Sequence, residues 1–127
     1  MLTELIKKIY NKNATVGIIG LGYVGLPIFL RILGAGFNVI GFDKNKTVIN
    51  KLRNKKKIIN HVDLGILNKK KNFLFEHDLK YISKCDIIIL CLPTPIDKKK
   101  KPELSAILET NKKMKKYLRK GQLYILE

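Results

Sequence analysis

The chain has 127 residues, 46% of them hydrophobic and 28% charged, which leaves room for one domain with its own core and argues against general disorder. No apolar run approaches the ~18 residues needed to cross a bilayer, the first residues interleave Lys7, Lys8 and Lys12 with apolar ones as no secretory leader does, and two cysteines, Cys85 and Cys91, are too few for a disulfide framework. The net charge of +16 would suit a polyanion, yet 23 of the 26 basic residues are Lys, beside 18 Ile and 10 Asn, the mixture that AT-rich coding sequence produces.

Base readout and bidentate phosphate contacts favour Arg, and only Arg31, Arg53 and Arg119 are present. The expectation is therefore a charge spread over the surface, with no specific nucleic acid and no membrane as partner, in a reducing cytoplasm.

Leu2, Leu5, Ile6, Ile9 and Tyr10 recur at helical spacing, with Thr3 as a candidate cap. They predict a short amphipathic helix in residues 1–13, ahead of a domain spanning 14–127. Thr15 to Gly20 reads as a buried strand, short, β-branched and ended by glycine. Val24 to Leu33 predicts a helix, with Pro27 in the first turn, where its missing N–H has no partner to lose. Phe37 to Phe42 predicts a second strand and Asn45 to Arg53 a second domain helix. Residues 54 to 71 read as polar and irregular, broken by Ile58-Ile59 and by a short helix from Asp63 to Leu67. Phe73 to Phe75 predicts a third strand, and Asp78 caps one or two helical turns over Leu79 to Ser83. Asp86 to Leu92 is the most apolar strand and should lie inside the sheet. Pro93-Thr94-Pro95 ends it. Lys98 to Lys101 reads as a solvated loop, Leu104 to Arg119 as a long helix stopped by Gly121, and Leu123 to Leu126 as a fifth strand.

Strands alternating with helices predict an α/β, Rossmann-type doubly wound parallel sheet. Right-handed crossovers favour the order 3-2-1-4-5, and the sequence reads as truncated after strand five. Within it, Gly20-Leu21-Gly22-Tyr23-Val24-Gly25 is a G-x-G-x-x-G match placed between a buried strand and a helix, the setting that dinucleotide binding requires. Gly20 permits the tight turn, Gly22 lets a pyrophosphate approach the backbone, and Gly25 lets helix and strand pack closely. The start of the helix, with the N–H groups of Tyr23 and Val24, faces the phosphates. Asp43 ends the second strand 18 residues after Gly25, where a carboxylate accepts the adenosine ribose hydroxyls. These observations predict NAD as cofactor. The glycine loop, Asp43, Pro93-Thr94-Pro95 and Glu127 all follow strands, so they should share the carboxyl edge of the sheet, with Pro93 and Thr94 towards the nicotinamide.

Gly20-Leu21-Gly22-Tyr23-Val24-Gly25-Leu26-Pro27 and Asp86-Ile87-Ile88-Ile89-Leu90-Cys91-Leu92-Pro93-Thr94-Pro95, followed by Pro102, Leu104 and Ser105, resemble the two hallmarks of the UDP-glucose/GDP-mannose dehydrogenases. The N-terminal helix and Ile59-Asn60-His61-Val62 look most like the UDP-N-acetylglucosamine 6-dehydrogenase branch. The resemblance implies oxidation of a UDP-sugar carbon-6 alcohol to a carboxylate in two NAD-dependent steps, through an enzyme-bound thioester. It implies Thr94 beside the reacting centre with an ordered water, and Glu127 in proton handling for the hydrolytic step. The family's nucleophilic cysteine and its lysine lie in later segments, and Cys85 and Cys91 read as core residues. The expectation is thus an NAD-binding domain that is not catalytic alone, with homo-oligomers only for the complete protein. Val48 stands where the family often has a basic residue, with Lys44 and Lys46 nearby. His61 and His77 read as surface or packing residues, and no spacing suggests a metal. Two other readings remain: a dehydrogenase of the β-hydroxyacid type, and a non-catalytic basic domain that binds NAD or a polyanion.

Overall fold

The computed structural model describes residues 1–127. Five parallel strands, β1 (Thr15–Ile19), β2 (Asn38–Phe42), β3 (Phe73–Glu76), β4 (Ile87–Leu90) and β5 (Leu123–Leu126), form one sheet in the order β3-β2-β1-β4-β5. Helices α2 (Gly25–Gly34) and α3 (Lys46–Arg53) connect β1 to β2 and β2 to β3, and α4 (Ser105–Met114) connects β4 to β5. Right-handed crossovers that build outward in both directions from β1 must place these helices on opposite faces. Two cores follow. One holds Val16, Ile18, Leu26, Phe29, Leu33, Ile49 and Leu52 under α2 and α3. The other holds Ile19, Ile40, Phe42, Ile88, Leu90, Ile107 and Met114 under α4. No helix is long and apolar enough to cross a membrane.

Helix α1 (Leu2–Tyr10) lies below the amino edge of the sheet. It begins at Met1 without a side-chain cap, so Thr3, the expected cap, is an ordinary residue of the first turn. Of its apolar stripe only Leu5 is buried. Lys8 does the anchoring, with its ammonium 2.9 Å from the Asp86 carboxylate.

Three further expectations are corrected. The long helix to Arg119 stops at Met114 and continues only as a 3₁₀ turn, Lys115–Tyr117. The cause is tertiary. Arg119 leaves the helical path to donate from Nε to Ser83 O and from Nη2 to Cys85 O, and its backbone N–H is taken by Gln122 Oε1. Leu104 precedes α4, and Leu104, Leu108 and Leu118 are exposed rather than core. Strand four is shorter than expected, although Asp86 N–H and Cys91 N–H extend its pairing to β1 by one residue at each end.

The stretch after α3 is not merely polar. Ile59, Val62, Leu64 and Leu67 from it enter the core, and the expected short helix is a 3₁₀ turn, Gly65–Asn68. As expected, Asp78 caps the 3₁₀ segment Leu79–Lys84, accepting the Lys80 N–H, while Asn45 caps α3 by accepting the N–H groups of Thr47 and Val48.

Candidate functional site: the carboxyl edge of the sheet

The register aligns Ile19 with Phe42 and with Leu90, and Leu90 with Leu126. The next residues along, Gly20, Asp43, Cys91 and Glu127, therefore stand in one row. Backbone bonds hold that row: Gly20 N–H to Phe42 O at 2.8 Å, Cys91 N–H to Ile19 O at 2.7 Å and Glu127 N–H to Leu90 O at 3.0 Å. Pro93 and Thr94 follow on an exposed segment beyond the row, where an antiparallel bridge joins Ile96 to Pro102.

The three motif glycines have three different reasons. Gly20 turns the chain at φ +97°, and a Cβ there would lie 2.7 Å from Cys91 O. Only glycine satisfies both demands. At Gly25 a Cβ would lie 1.6 Å from Gly20 O, so α2 packs on the loop's own backbone with no space to spare. Gly22 differs, because nothing stands within 4 Å of a Cβ placed there and its φ is not in the left-handed region. A side chain at Gly22 would fill open space in front of the loop, space that a ligand can use. α2 starts at that space without a side-chain cap and without an acid in its first turn. Leu26 N–H is taken by Gly22 O at 3.1 Å and Pro27 has none, so the N–H groups of Tyr23, Val24 and Gly25, with the positive end of the dipole, are left for an anion.

Asp43 closes the loop from the other side. Its Oδ2 accepts the Leu21 N–H at 3.0 Å and its Oδ1 accepts the Asn45 N–H at 2.9 Å. A carboxylate has about four lone-pair positions, so two remain for ligand hydroxyls, and Asp43 makes no ion pair. Val48 is half-buried against the core, so no cation occupies that position, and Lys44 and Lys46 are exposed. Tyr23 and Val24 are 77% and 51% exposed on the rim of the loop.

The two thiols are buried, as expected. Burial pushes the Cys85 thiol up to about 12, with the Asp86 charge adding and Arg119 opposing. Cys91 is pushed up by burial and then by the Glu127 carboxylate. Glu127 thus sits close enough to Cys91 for its charge to be felt.

Two features were not visible in the sequence. The tie between Asp43 and the Leu21 N–H joins residues 22 apart. His61, read as surface or packing, stacks on Tyr23 with ring centroids 6.2 Å apart. The apolar residues Ile59 and Val62 on either side of it were the available signal, since they had to face inward.

A separate concavity lies elsewhere. An open groove of about 780 Å³ runs between His77-Asp78-Leu79 and the Lys112–Tyr117 stretch, with Lys112, Lys113, Lys115 and Lys116 along it. It contains none of the motif residues. Other lysines lie exposed on α1, on α3, at Lys69 and Lys71 and on the 98–101 loop, so the charge as a whole is dispersed.

A family model described as the NAD binding domain of the UDP-glucose/GDP-mannose dehydrogenase family matches residues 14–127. The chain is 35% identical over 116 residues to the UDP-N-acetyl-D-glucosamine 6-dehydrogenase of Pseudomonas aeruginosa, covering 91% of this chain and 27% of that protein. It is 34% identical over 116 residues to the UDP-N-acetyl-D-mannosamine dehydrogenase of Methanocaldococcus jannaschii, covering 87% of this chain and 27% of that one. It therefore spans about a quarter of the length of these relatives. Among solved structures, the GDP-mannose dehydrogenase of Pseudomonas aeruginosa superposes with a TM-score of 0.79 at 24% identity, over 87% of this chain and 27% of that one. At that identity the likeness speaks for the fold.

Proposed function

This chain belongs to the UDP-glucose/GDP-mannose dehydrogenase family, whose NAD-binding domain it matches over residues 14–127, and on that premise we propose that it is the cofactor-binding part of a nucleotide-sugar 6-dehydrogenase. The observation that supports this most is the contrast among the loop glycines. Gly20 and Gly25 are closed in by backbone, whereas Gly22 opens onto free space at the uncapped start of α2. A pyrophosphate would be held there by the N–H groups of Tyr23, Val24 and Gly25. The adenosine ribose takes the free lone pairs of Asp43. NAD, when bound, supplies a two-electron acceptor.

Pro93 and Thr94 line the nicotinamide side in this reading. Thr94 offers a hydroxyl that orients a water or the sugar, and the Glu127 carboxylate holds or takes a proton from water during hydrolysis. The substrate is proposed to be a UDP-sugar of the N-acetylhexosamine type, UDP-N-acetylglucosamine first, as in the relatives' names. Neither thiol of this chain suits the nucleophile. Both are buried and their burial disfavours the thiolate that attack requires. The 127-residue chain is therefore proposed to bind NAD without completing the oxidation. Cytoplasmic residence and an oligomer confined to the longer protein belong to the same proposal.

Calorimetric titration with NAD tests the first part, and absence of binding would overturn it. Incubation with NAD and UDP-N-acetylglucosamine or UDP-glucose, followed by NADH absorbance, tests the second. Steady turnover that disappears with Cys91→Ser would overturn it.

A further inference from the structure

The turn that carries His61 is fixed from below. Ile59 and Val62 are 8% and 9% exposed within the core under α2 and α3. The Val62 N–H closes a turn onto Ile59 O at 3.1 Å, and Lys57 Nζ reaches Asn60 O at 3.3 Å. With both ends pinned, Asn60 and His61 have only the outside to occupy. The imidazole of His61 lies against the Tyr23 ring, with centroids 6.2 Å apart and planes inclined by 22°. Such an offset stack is a favoured aromatic geometry.

Tyr23 is the middle residue of the glycine loop, next to the open space at Gly22. Gly22 O and Val24 O accept the Leu26 and Ile28 N–H groups at 3.1 and 3.3 Å, but the Tyr23 side chain between them is 77% exposed and has no hydrogen-bond partner in its own loop. The loop N–H groups are useful to an anion only if they point together before it arrives. Ordering them on binding would weaken affinity, and ordering them beforehand preserves it.

We propose that His61 is a positioning residue of the dinucleotide site, which, by stacking on Tyr23 from a core-anchored turn, holds residues 22–24 in the conformation that receives the pyrophosphate. The inference rests on the NAD-binding reading above. His61 contributes a flat ring in a fixed place, and no chemical step passes through it. Since the ring matters and its nitrogens do not, another flat side chain serves in its place.

Three variants of the full chain, titrated with NAD by calorimetry, test this. His61→Ala is expected to raise the dissociation constant about fivefold, the scale of one aromatic stack. His61→Phe is expected to stay within about twofold of the parent, and Asn60→Ala, on the same turn without the ring, to leave the affinity unchanged. All three should keep the melting temperature within about 2 °C, because both positions are exposed. A His61→Ala chain that binds NAD like the parent would overturn the proposal, as would a His61→Phe chain no better than His61→Ala.

A ligand-free arm separates the two readings. In proton NMR the His61 ring signals should shift when Tyr23→Leu removes the stacked ring, while those of His77 stay in place. No shift would mean that the pair does not form in solution, whatever binds. A parent chain that binds no NAD would overturn the functional reading, and with it the role given to His61, even with the pair intact.

Discussion

Two aspartates stand at opposite edges of one sheet, and their surroundings differ in kind. Asp86, just before β4, is 6% exposed. Its carboxylate takes the Thr15 N–H at 2.9 Å, the Lys8 ammonium at 2.9 Å and the Arg119 guanidinium at 3.2 Å. Burial alone would push its pKa up, but the Thr15 N–H, Lys8 and Arg119 together override that and hold it below the ordinary carboxylate range. Asp43, just after β2, takes two backbone N–H groups and no cation. The first carboxylate joins α1, β1, β4 and the end of the α4 segment at the amino edge. The second braces the glycine loop and keeps acceptor capacity at the carboxyl edge, where open α/β sheets bind ligands. The same residue type thus closes one edge of the fold and serves the open one, and the neighbours decide which.

The largest expected effect comes from breaking the closed edge. Asp86→Ala leaves a buried N–H and two cations without their acceptor. The Lys8 and Arg119 side chains are 48% and 43% exposed, so water recovers part of their solvation. The expected loss is about 2–3 kcal/mol, at or below the lower end for a broken buried pair, measured by urea unfolding. NAD affinity, referred to folded protein, should stay within about twofold, and a large change there would erase the distinction between the edges. The same carboxylate sets an acid limit. A folded-state pKa below the unfolded one makes the stabilisation complete above about pH 4 and lost as pH falls through the folded value. The melting temperature of the parent should therefore drop more steeply below about pH 4 than that of Asp86→Asn.

The second effect is the mirror image, at the open edge. Gly22→Val places a branched side chain in free space, with no backbone strain since the φ there is not left-handed. Stability should change little, with a melting temperature within about 2 °C of the parent. NAD affinity should fall about 100-fold or more, because the side chain occupies the pyrophosphate's approach. Gly25→Ala would not make this separation, since its Cβ would meet Gly20 O at 1.6 Å and the loop itself would have to move.

A third, smaller effect concerns the free lone pairs of Asp43. A 2′-phosphate would approach a carboxylate of like charge, so NAD should bind better than NADP. Asp43→Asn should reduce that preference about tenfold, a little over 1 kcal/mol. It should also cost about 1 kcal/mol of stability, because the amide NH₂ would face one of the two N–H donors. Equal affinity of the parent for both cofactors at moderate salt would remove the role assigned to Asp43.

What could be read in the sequence divides along the same line. The glycine loop, Asp43 and the strand order were legible because each rests on local chemistry: a turn that needs glycine, a strand that needs β-branched residues, a handed crossover. The closed edge was not. Lys8, Asp86 and Arg119 are separated by 78 and 33 residues, and no periodicity links them. Arg119 had the composition of a helix end, and its bonds to Ser83 and Cys85 carried it off the helical path. His61 was equally hidden, since its partner Tyr23 belongs to another segment. The polar look of residues 54–71, broken for the eye only by Ile58-Ile59, masked the core places of Val62, Leu64 and Leu67, which follow no stripe.

The smallest expected effect concerns the lysines, which belong to neither edge. The 780 Å³ groove gathers Lys112, Lys113, Lys115 and Lys116, and a polyanion reading would place its site there. The groove's charge is already partly engaged. Lys113 pairs with Glu109 at 3.5 Å, and Lys116 lies 5.1 Å from the Tyr117 ring centre. If the basic excess reflects composition alone, nucleic acid binds through counterion release, and every exposed lysine contributes about equally. Changing Lys112, Lys115 and Lys116 to Gln should then weaken binding to a random DNA duplex no more than changing Lys98, Lys99 and Lys101. Each set should lower affinity by only a few fold at moderate salt, and each should flatten the salt dependence to the same degree. Filter binding across a salt series reads both quantities. A loss confined to the groove set, with its own change in slope, would mean that these three lysines act together and that the charge has a site.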